Sequence, residues 1–176
     1  MRLIARQRGF TLIEILVVVV IIGVIAAGVV LSVSLTGRDN ELEKEGNRLL
    51  TLVNYAREQA ELQTRDYGLL LQQDGYEFVA YDVRRGGWRS VFEDDALRER
   101  KLPDGLDLKL VVEGRPVVLR RPSDAKDKTP QVVIFANGDL TSFEITVERE
   151  GGVRSITVVQ DDKGQVVAKP MVESKA

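Results

Sequence analysis

An apolar run of membrane length near the amino terminus constrains this chain more than any other feature. It extends from Phe10 to Leu35 and contains one charged residue, Glu14. The part from Ile15 to Leu35 would be about 31 Å long as a helix at roughly 1.5 Å per residue, close to the thickness of a bilayer's hydrocarbon core. Residues 1–9 carry three Arg and no acid. This arrangement predicts a membrane-spanning helix with a cytoplasmic leader before it and the bulk of the chain outside.

Glu14 is the unusual residue of this run. A charged side chain costs roughly 2.5–3.5 kcal/mol at the bilayer centre and somewhat less towards the edge. Ionisable groups in such segments usually pair with another group, so we expect Glu14 to meet a cation on another molecule. The alternative is that Glu14 lies at the headgroup boundary in a protonated or hydrated form.

The Gly9-Phe10 junction, followed by Glu14, resembles the leader of type IV prepilins and type II secretion pseudopilins. The resemblance implies that a prepilin peptidase cleaves between Gly9 and Phe10 and that Phe10 is then N-methylated. It also implies an assembly role for Glu14, whose carboxylate would meet the terminal amine of a neighbouring subunit. Gly suits the cleavage position because it has no side chain to obstruct the scissile bond.

A secretory signal peptide is the main alternative for the amino terminus. Small residues at 26–28 offer a cleavage site. The apolar core is longer than the usual 7–15 residues, however, and it continues beyond these small residues. An acid within the core is also unusual for a signal. The pattern therefore favours a cleaved leader at 1–9 and a retained transmembrane helix at 10–36.

Composition excludes several kinds of function. The chain has 176 residues, with no Cys and no His, which removes disulfides, thiolate sites and the commonest metal ligand. It has 25 basic and 27 acidic side chains, and loss of the three leader arginines would leave 22 basic ones. A net negative charge argues against a general phosphate-binding surface.

An amphipathic pattern follows the apolar run and predicts that the helix continues over residues 37–66. Apolar or small residues recur at alternating steps of four and three, which places them on one face of a helix. They are Leu42, Gly46, Leu49, Val53, Ala56 and Ala60. Gly37 and Gly46 each cost roughly 1 kcal/mol relative to Ala inside a helix, so they could mark bends or close approaches. Two helices with a break near Gly37 is the alternative interpretation.

Beyond Asp66 the apolar period changes to two, which predicts about seven or eight short antiparallel strands over residues 67–176. The strands are expected at 67–72, 76–81, 88–92, 106–112, 131–135, 140–149, 153–160 and 165–168, and 117–119 is a further candidate. Asp74-Gly75 and Asn137-Gly138 are typical of tight hairpins. Residues 120–130 are predicted to form a polar loop, and residues 169–176 are predicted to form a frayed tail. The predicted fold class is α+β, with a long amino-terminal helix packed on an antiparallel sheet, as in pilins.

The region after the leader also resembles the H-type minor pseudopilins of type II secretion, over roughly residues 9 to 165. The elements that carry this likeness are Ala56-Arg57-Glu58-Gln59-Ala60, Tyr67-Gly68-Leu69, Asp74-Gly75-Tyr76-Glu77-Phe78, Trp88, Leu102-Pro103-Asp104-Gly105-Leu106 and Phe135-Ala136-Asn137-Gly138. Major subunits of the superfamily commonly have Pro near Leu31. The absence of Pro before Pro103 therefore favours a minor subunit.

No enzyme signature and no cofactor or metal site emerges. The chain lacks a phosphate-binding G-x-x-x-x-G-K-[ST] loop and a nucleophile paired with His or Cys. Asp161 and Asp162 are candidate calcium ligands by resemblance, since major pseudopilins bind calcium in a late loop. Calcium takes six to eight oxygens, and we favour a solvated turn. A membrane-anchored enzyme remains the remotest alternative.

Lys and Arg residues are concentrated in two parts of the chain, which we call the basic concentrations. The first is Arg84, Arg85, Arg89, Arg98, Arg100 and Lys101, and the second is Arg115, Arg120, Arg121, Lys126 and Lys128. Trp88 and Tyr81 lie near the first in sequence, and some minor pilins of DNA-uptake machines bind DNA through basic surfaces. Acids interrupt the first concentration, so we favour solvated faces or a docking surface for a partner subunit, and we expect no nucleic-acid binding.

These patterns lead to one interpretation of the whole chain. We expect a non-enzymatic, single-pass inner-membrane subunit with a periplasmic carboxy-terminal domain, which the resemblance makes a minor pseudopilin that initiates or caps the type II secretion pseudopilus. Its implied partners are other minor and major pseudopilins, the prepilin peptidase, the inner-membrane assembly platform and secreted proteins. The alternative is a minor type IV pilin that binds DNA for uptake.

Overall fold

A computed structural model describes residues 12–120 and 128–173 of the chain. The chain divides between Asp39 and Asn40 into two compact units. The second unit contains the ten strands described below and the last turns of the helix.

A single helix, α1, extends from Leu12 to Gln63. Its bounds include Gly37, so they agree with the one-helix interpretation and not with a break there. Within the second unit, the predicted stripe is buried, as its members Leu42, Leu49, Val53, Ala56 and Ala60 are all at most 1 % exposed. Gly46 belongs to this stripe because an added Cβ would lie 2.5 Å from Cγ2 of Ile156. Gly46 therefore marks a close approach between the helix and a strand.

Ten strands follow the helix within the residues that the structure describes. They are β1 (Tyr67–Gln72), β2 (Gly75–Asp82), β3 (Gly87–Ser90), β4 (Arg100–Lys101), β5 (Leu106–Val112), β6 (Arg115–Val117), β7 (Val132–Ile134), β8 (Phe143–Arg149), β9 (Arg154–Gln160) and β10 (Val166–Glu173). Short 3-10 turns occupy Asp95–Leu97 and Glu150–Gly152. The Asp74-Gly75 turn joins β1 to β2, where Gln72 pairs with Gly75.

The strands form two antiparallel five-stranded sheets. The first has the order β3-β2-β1-β7, and β4 also pairs with β2. The second has the order β10-β9-β8-β5-β6. One apolar core joins the buried stripe of α1 to inward side chains of both sheets, including Phe78 and Ile145. The expectation of a helix on an antiparallel sheet is thus confirmed, with two sheets in place of one.

Strand β1 is buried along its whole length because both of its faces are covered. Leu69 and Leu71 belong to the core shared with α1. On the opposite face, a Cβ added at Gly68 would lie 2.3 Å from Cγ of Pro130. The Gln131 carboxamide completes the edge, as its Oε1 accepts from Leu71 N at 2.8 Å and its Nε2 donates to Leu71 O at 3.1 Å. The Gln131 side chain therefore makes the two hydrogen bonds that the backbone of a neighbouring strand would make in a regular β-ladder.

Two sequence predictions were wrong at strand ends. The tail expected at 169–176 is ordered further than predicted, since β10 continues to Glu173 and pairs there with Arg154. The pairing resumes after a register shift between Lys169 and Val172; Pro170 lies within that shift and lacks the N–H that a regular ladder needs. The strand expected at 88–92 is shorter than predicted, since β3 ends at Ser90, opposite Val79 of β2.

Candidate functional site

Of the three residues predicted to act in processing and assembly, the structure places only Glu14. Gly9 and Phe10 lie outside the described residues. Glu14 lies in α1 and is exposed in the single chain. The surface around Glu14 is therefore accessible to another molecule.

The turns of α1 around Glu14 expose apolar side chains in every direction. The large apolar residues from Leu12 to Ile25 are between 46 and 83 % exposed. A helix that is apolar all round is normally covered by protein or lipid, so this surface is suited to association. Within residues 12–120 and 128–173, no helix meets the length and apolarity expected of a membrane span.

A cleft of about 570 Å³ lies in the second unit, between the last turns of α1 and the loop after β3. Tyr55, Gln59 and Gln63 line one wall, at a spacing of four that places them on one stripe of the helix. Glu93 and Asp94 line the opposite wall. We call this cavity the tyrosine cleft, because Tyr67 lines it as well as Tyr55.

Hydrogen bonds connect the walls of the tyrosine cleft. The Tyr55 hydroxyl donates to Asp94 Oδ2 at 2.7 Å, and Asp94 Oδ1 accepts from Ala96 N at 2.8 Å. The hydrogen bond to Asp94 raises the pKa of Tyr55 above its usual value, and burial adds to the rise. Asp94 thus caps the 3-10 turn that follows it and holds the loop against the helix.

A second series of hydrogen bonds runs along the side of the tyrosine cleft that α1 forms. The Tyr67 hydroxyl donates to Gln63 Oε1 at 2.9 Å, and Gln63 Nε2 donates to Gln59 Oε1 at 3.0 Å. Burial raises the pKa of Tyr67. The positions of these side chains are therefore mutually fixed before any ligand arrives.

Phe92 stands beside the tyrosine cleft as an exposed aromatic side chain. It lies between Val91 and Glu93, which both line the cavity, and it is 85 % exposed whereas Val91 is buried. Sequence reasoning missed this site, because the run Trp88–Phe92 was assigned wholly to a strand. The available signal was the abrupt change from the apolar pair Val91-Phe92 to the acids Glu93 and Asp94.

The basic concentrations are partly engaged in ion pairs within the second unit. Arg89 lies 3.2 Å and Arg85 3.9 Å from Asp82 Oδ2. Lys128 Nζ donates to both carboxylate oxygens of Glu77 at 2.8 Å, and Glu77 is buried. These basic side chains therefore have structural roles, and the expectation that nucleic acid is not bound stays a prediction.

The acidic pair between β9 and β10 forms a turn. Asp161 Oδ1 accepts from Lys163 N at 2.9 Å and from Gln165 N at 2.8 Å. Gly164, with a φ of +75°, completes the turn. Asp161 is thus committed to the backbone. In the part of the chain that the structure describes, no group of three or more acidic side chains could hold a metal ion.

Comparison with known proteins gives consistent matches over most of the chain. Residues 4–30 match the prokaryotic N-terminal methylation motif, and residues 45–162 match the family described as type II transport protein GspH. The chain is 34 % identical to type II secretion system protein H of Pseudomonas aeruginosa over 150 residues, covering 82 % of this chain and 85 % of the relative. It is 32 % identical to the protein of that name from Aeromonas hydrophila over 165 residues, covering 90 % of each.

Solved structures support the same fold. The minor pseudopilin EpsH from the type II secretion system of Vibrio cholerae aligns with a TM-score of 0.65 at 20 % identity, covering 77 % of this chain and 99 % of EpsH. The solution structure of Escherichia coli GspH aligns with a TM-score of 0.55 at 18 % identity, covering 75 % of this chain and 89 % of GspH. By its sequence matches, this chain belongs to the type II transport protein GspH family, together with the type II secretion system H proteins.

Proposed function

We propose that this chain is a minor pseudopilin, a single-pass inner-membrane subunit that initiates or caps the pseudopilus. Its span would be residues 10–36, with the second unit in the periplasm. The observation that carries the proposal is the apolar surface from Leu12 to Ile25, which its own chain leaves exposed. The three arginines before it favour a cytoplasmic amino terminus, because positive residues are retained on that side of the membrane.

Cleavage between Gly9 and Phe10, with N-methylation of Phe10, is the processing step of this proposal. The match of residues 4–30 to the methylation motif supports it. We expect replacement of Gly9 by a bulky residue, as in Gly9→Leu, to leave an uncleaved precursor in the membrane. A Gly9→Ala variant is the matched control and should be cleaved at least in part, because its side chain is a single methyl group.

Glu14 has an assembly role in this proposal. After cleavage, the carboxylate would meet the positively charged amine of Phe10 on an adjoining subunit. Two unit charges about 4 Å apart attract by about 4 kcal/mol at an effective dielectric of 20, and desolvation offsets part of this attraction. The main gain is therefore selectivity, because a subunit out of register would place the carboxylate among apolar side chains.

The partners follow from the same scheme. Other minor pseudopilins and the major pseudopilin would surround the apolar part of α1, the prepilin peptidase would process the leader, and the inner-membrane assembly platform would incorporate the subunit. Secreted proteins would meet the periplasmic unit. The role is structural, since noncovalent packing and recognition account for it without catalysis.

Incorporation of a Glu14→Ala variant tests the proposal. We expect the variant to insert and be cleaved normally but to be recovered poorly with the other pseudopilins after cross-linking and detergent extraction. Glu14→Gln is the matched control for shape, and it should also be incorporated poorly because it lacks the charge. Wild-type recovery of both variants would refute the assembly role of Glu14.

A further inference from the structure

We propose that the tyrosine cleft and Phe92 form a docking site for an extended loop of another pseudopilin, one that carries a Lys or Arg beside an apolar residue. This inference rests on the proposed function, and it adds a specific surface and the chemistry of its occupant. The site lies wholly within the second unit, so it is separate from Glu14 and from the apolar part of α1.

Charge complementarity indicates a cationic occupant. Glu93 and Asp94 line the tyrosine cleft, and Arg65 is the one basic residue among its described lining residues. The charge of Glu58 also acts on Tyr55. Arg65 is partly engaged, because its Nε donates to the carbonyl oxygen of Tyr81 at 3.2 Å. The local excess of negative charge would attract a Lys or Arg side chain and repel a nucleic acid.

Phe92 supplies the apolar component of the site. Large aromatic side chains are enriched at interface hot spots because they bury much area at low cost in conformational entropy. Phe92 is 85 % exposed and directly precedes the acidic wall. A partner segment with adjacent apolar and basic side chains would therefore bury Phe92 and pair with Glu93 together.

The size and rigidity of the cavity fit a loop better than a helix or a small domain. A volume of about 570 Å³ is within the range of cavities that hold small ligands, roughly 300–1,000 Å³, so it takes a few side chains. The Tyr55–Asp94 bond and the linked Gln59 and Gln63 amides fix the walls in advance. Preformed walls reduce the ordering cost of binding.

The test uses the full-length, membrane-inserted protein, coexpressed with the other pseudopilins of its own secretion system and purified through a tag. Two variants address the site: Phe92→Ser removes the aromatic side chain, and Glu93→Lys reverses the charge. Matched controls are Val118→Ser, at a residue 90 % exposed, and Asp162→Lys, in the turn between β9 and β10. Neither control residue lines the cleft. All four positions are exposed, so the melting temperature should change little.

We expect each site variant to lower recovery of one particular pseudopilin about ten-fold or more, as for interface hot spots, and the controls to leave recovery unchanged. Replacing the partner's Lys or Arg by Glu should restore capture by Glu93→Lys. Because the chain has no Cys, Phe92→Cys with a photoactivatable maleimide should cross-link the same pseudopilin, and Val118→Cys should not.

Three results would overturn the docking proposal: wild-type recovery by both site variants, cross-linking of Phe92→Cys to a secreted protein, or cross-linking to a second copy of this chain. Processing and membrane insertion are measured in the same samples. If processing and insertion are normal while the Phe92→Ser and Glu93→Lys variants recover every pseudopilin as the wild type does, the docking site is refuted and the proposed function stands. If the wild-type chain is neither processed nor inserted, the proposed function fails by itself.

Discussion

Two regions of α1 carry apolar side chains but differ in what covers those side chains. From Leu12 to Ile25 the large apolar side chains are between 46 and 83 % exposed, whereas the stripe from Leu42 to Ala60 is buried against the two sheets. The carboxy-terminal region buries its apolar surface within its own chain. The amino-terminal region leaves its surface for other molecules to cover, and association should therefore depend on it while the folding of the second unit should not.

The largest expected effect distinguishes the two regions by stability. Leu49→Ala should lower the free energy of unfolding of the second unit by about 2–5 kcal/mol, because it leaves a cavity beneath the sheets. Val19→Ala, at a residue 62 % exposed, should change it by less than about 0.5 kcal/mol. Urea unfolding of the full-length protein in detergent, followed by Trp88 fluorescence, measures both. Equal destabilisation by the two substitutions would contradict the comparison.

Gly46→Ala sharpens the comparison within the buried region. Alanine favours a helix by roughly 1 kcal/mol over glycine, but its methyl group would overlap Ile156. Overpacking of this kind typically costs about 1–3 kcal/mol, so we expect a net loss of stability in the same urea assay.

A matched pair isolates the cause of that loss. In an Ile156→Ala background the overlap is removed, and Gly46→Ala should become neutral or stabilising. Gly23→Ala, in the amino-terminal region, should be tolerated in either background, because nothing lies within 4 Å of the added Cβ. Destabilisation by Gly46→Ala that persists without Ile156 would show that the close approach is not its cause.

An effect confined to alkaline pH arises from a buried tyrosine of the second unit. Burial, assisted by the charge of Glu45, raises the pKa of Tyr76 from 10.0 to about 12. Between pH 10 and 12 the unfolded chain loses this proton while the folded chain keeps it, so stability falls as pH rises, by roughly 2–3 kcal/mol in total. The Tyr76 hydroxyl has no hydrogen-bond partner among the described residues.

Tyr76→Phe is the matched substitution for this effect. It should change stability little at neutral pH and should weaken the decline between pH 10 and 12, as measured by circular dichroism during urea unfolding. Tyr55 and Tyr67 also have raised pKa values, so part of the decline should remain in the variant. An identical decline in wild type and Tyr76→Phe would contradict the assignment.

The sequence predicted those parts of the fold that depend on local pattern. The Asp74-Gly75 hairpin follows from turn chemistry, and the bounds of β5 follow from a period of two. The burial of Leu42 and Leu49 follows from helical spacing. Strand ends were less predictable, because they depend on tertiary pairing. Strand β3 pairs with β2 from Gly87 to Ser90, although Val91 and Phe92 also suit a strand.

The two candidate sites also differ in whether a local sequence pattern reveals them. Glu14 could be selected from sequence because a charge inside an apolar run is a local anomaly. The tyrosine cleft could not be, because it requires Tyr55 on the helix to meet Asp94 on a loop 39 residues away. Neither residue is unusual in its own sequence context, and only packing of the helix on the sheet brings them together.

Intact-mass spectrometry of the native protein, combined with cell fractionation, tests the central claim most directly. The claim is that the amino-terminal part of α1 remains in the mature protein and is covered by membrane and by neighbouring subunits. We expect a membrane-bound product that begins at a methylated Phe10 and requires detergent for extraction. A freely secreted product that has lost the residues before about Gly28, or a mature protein that retains Met1, would contradict the account.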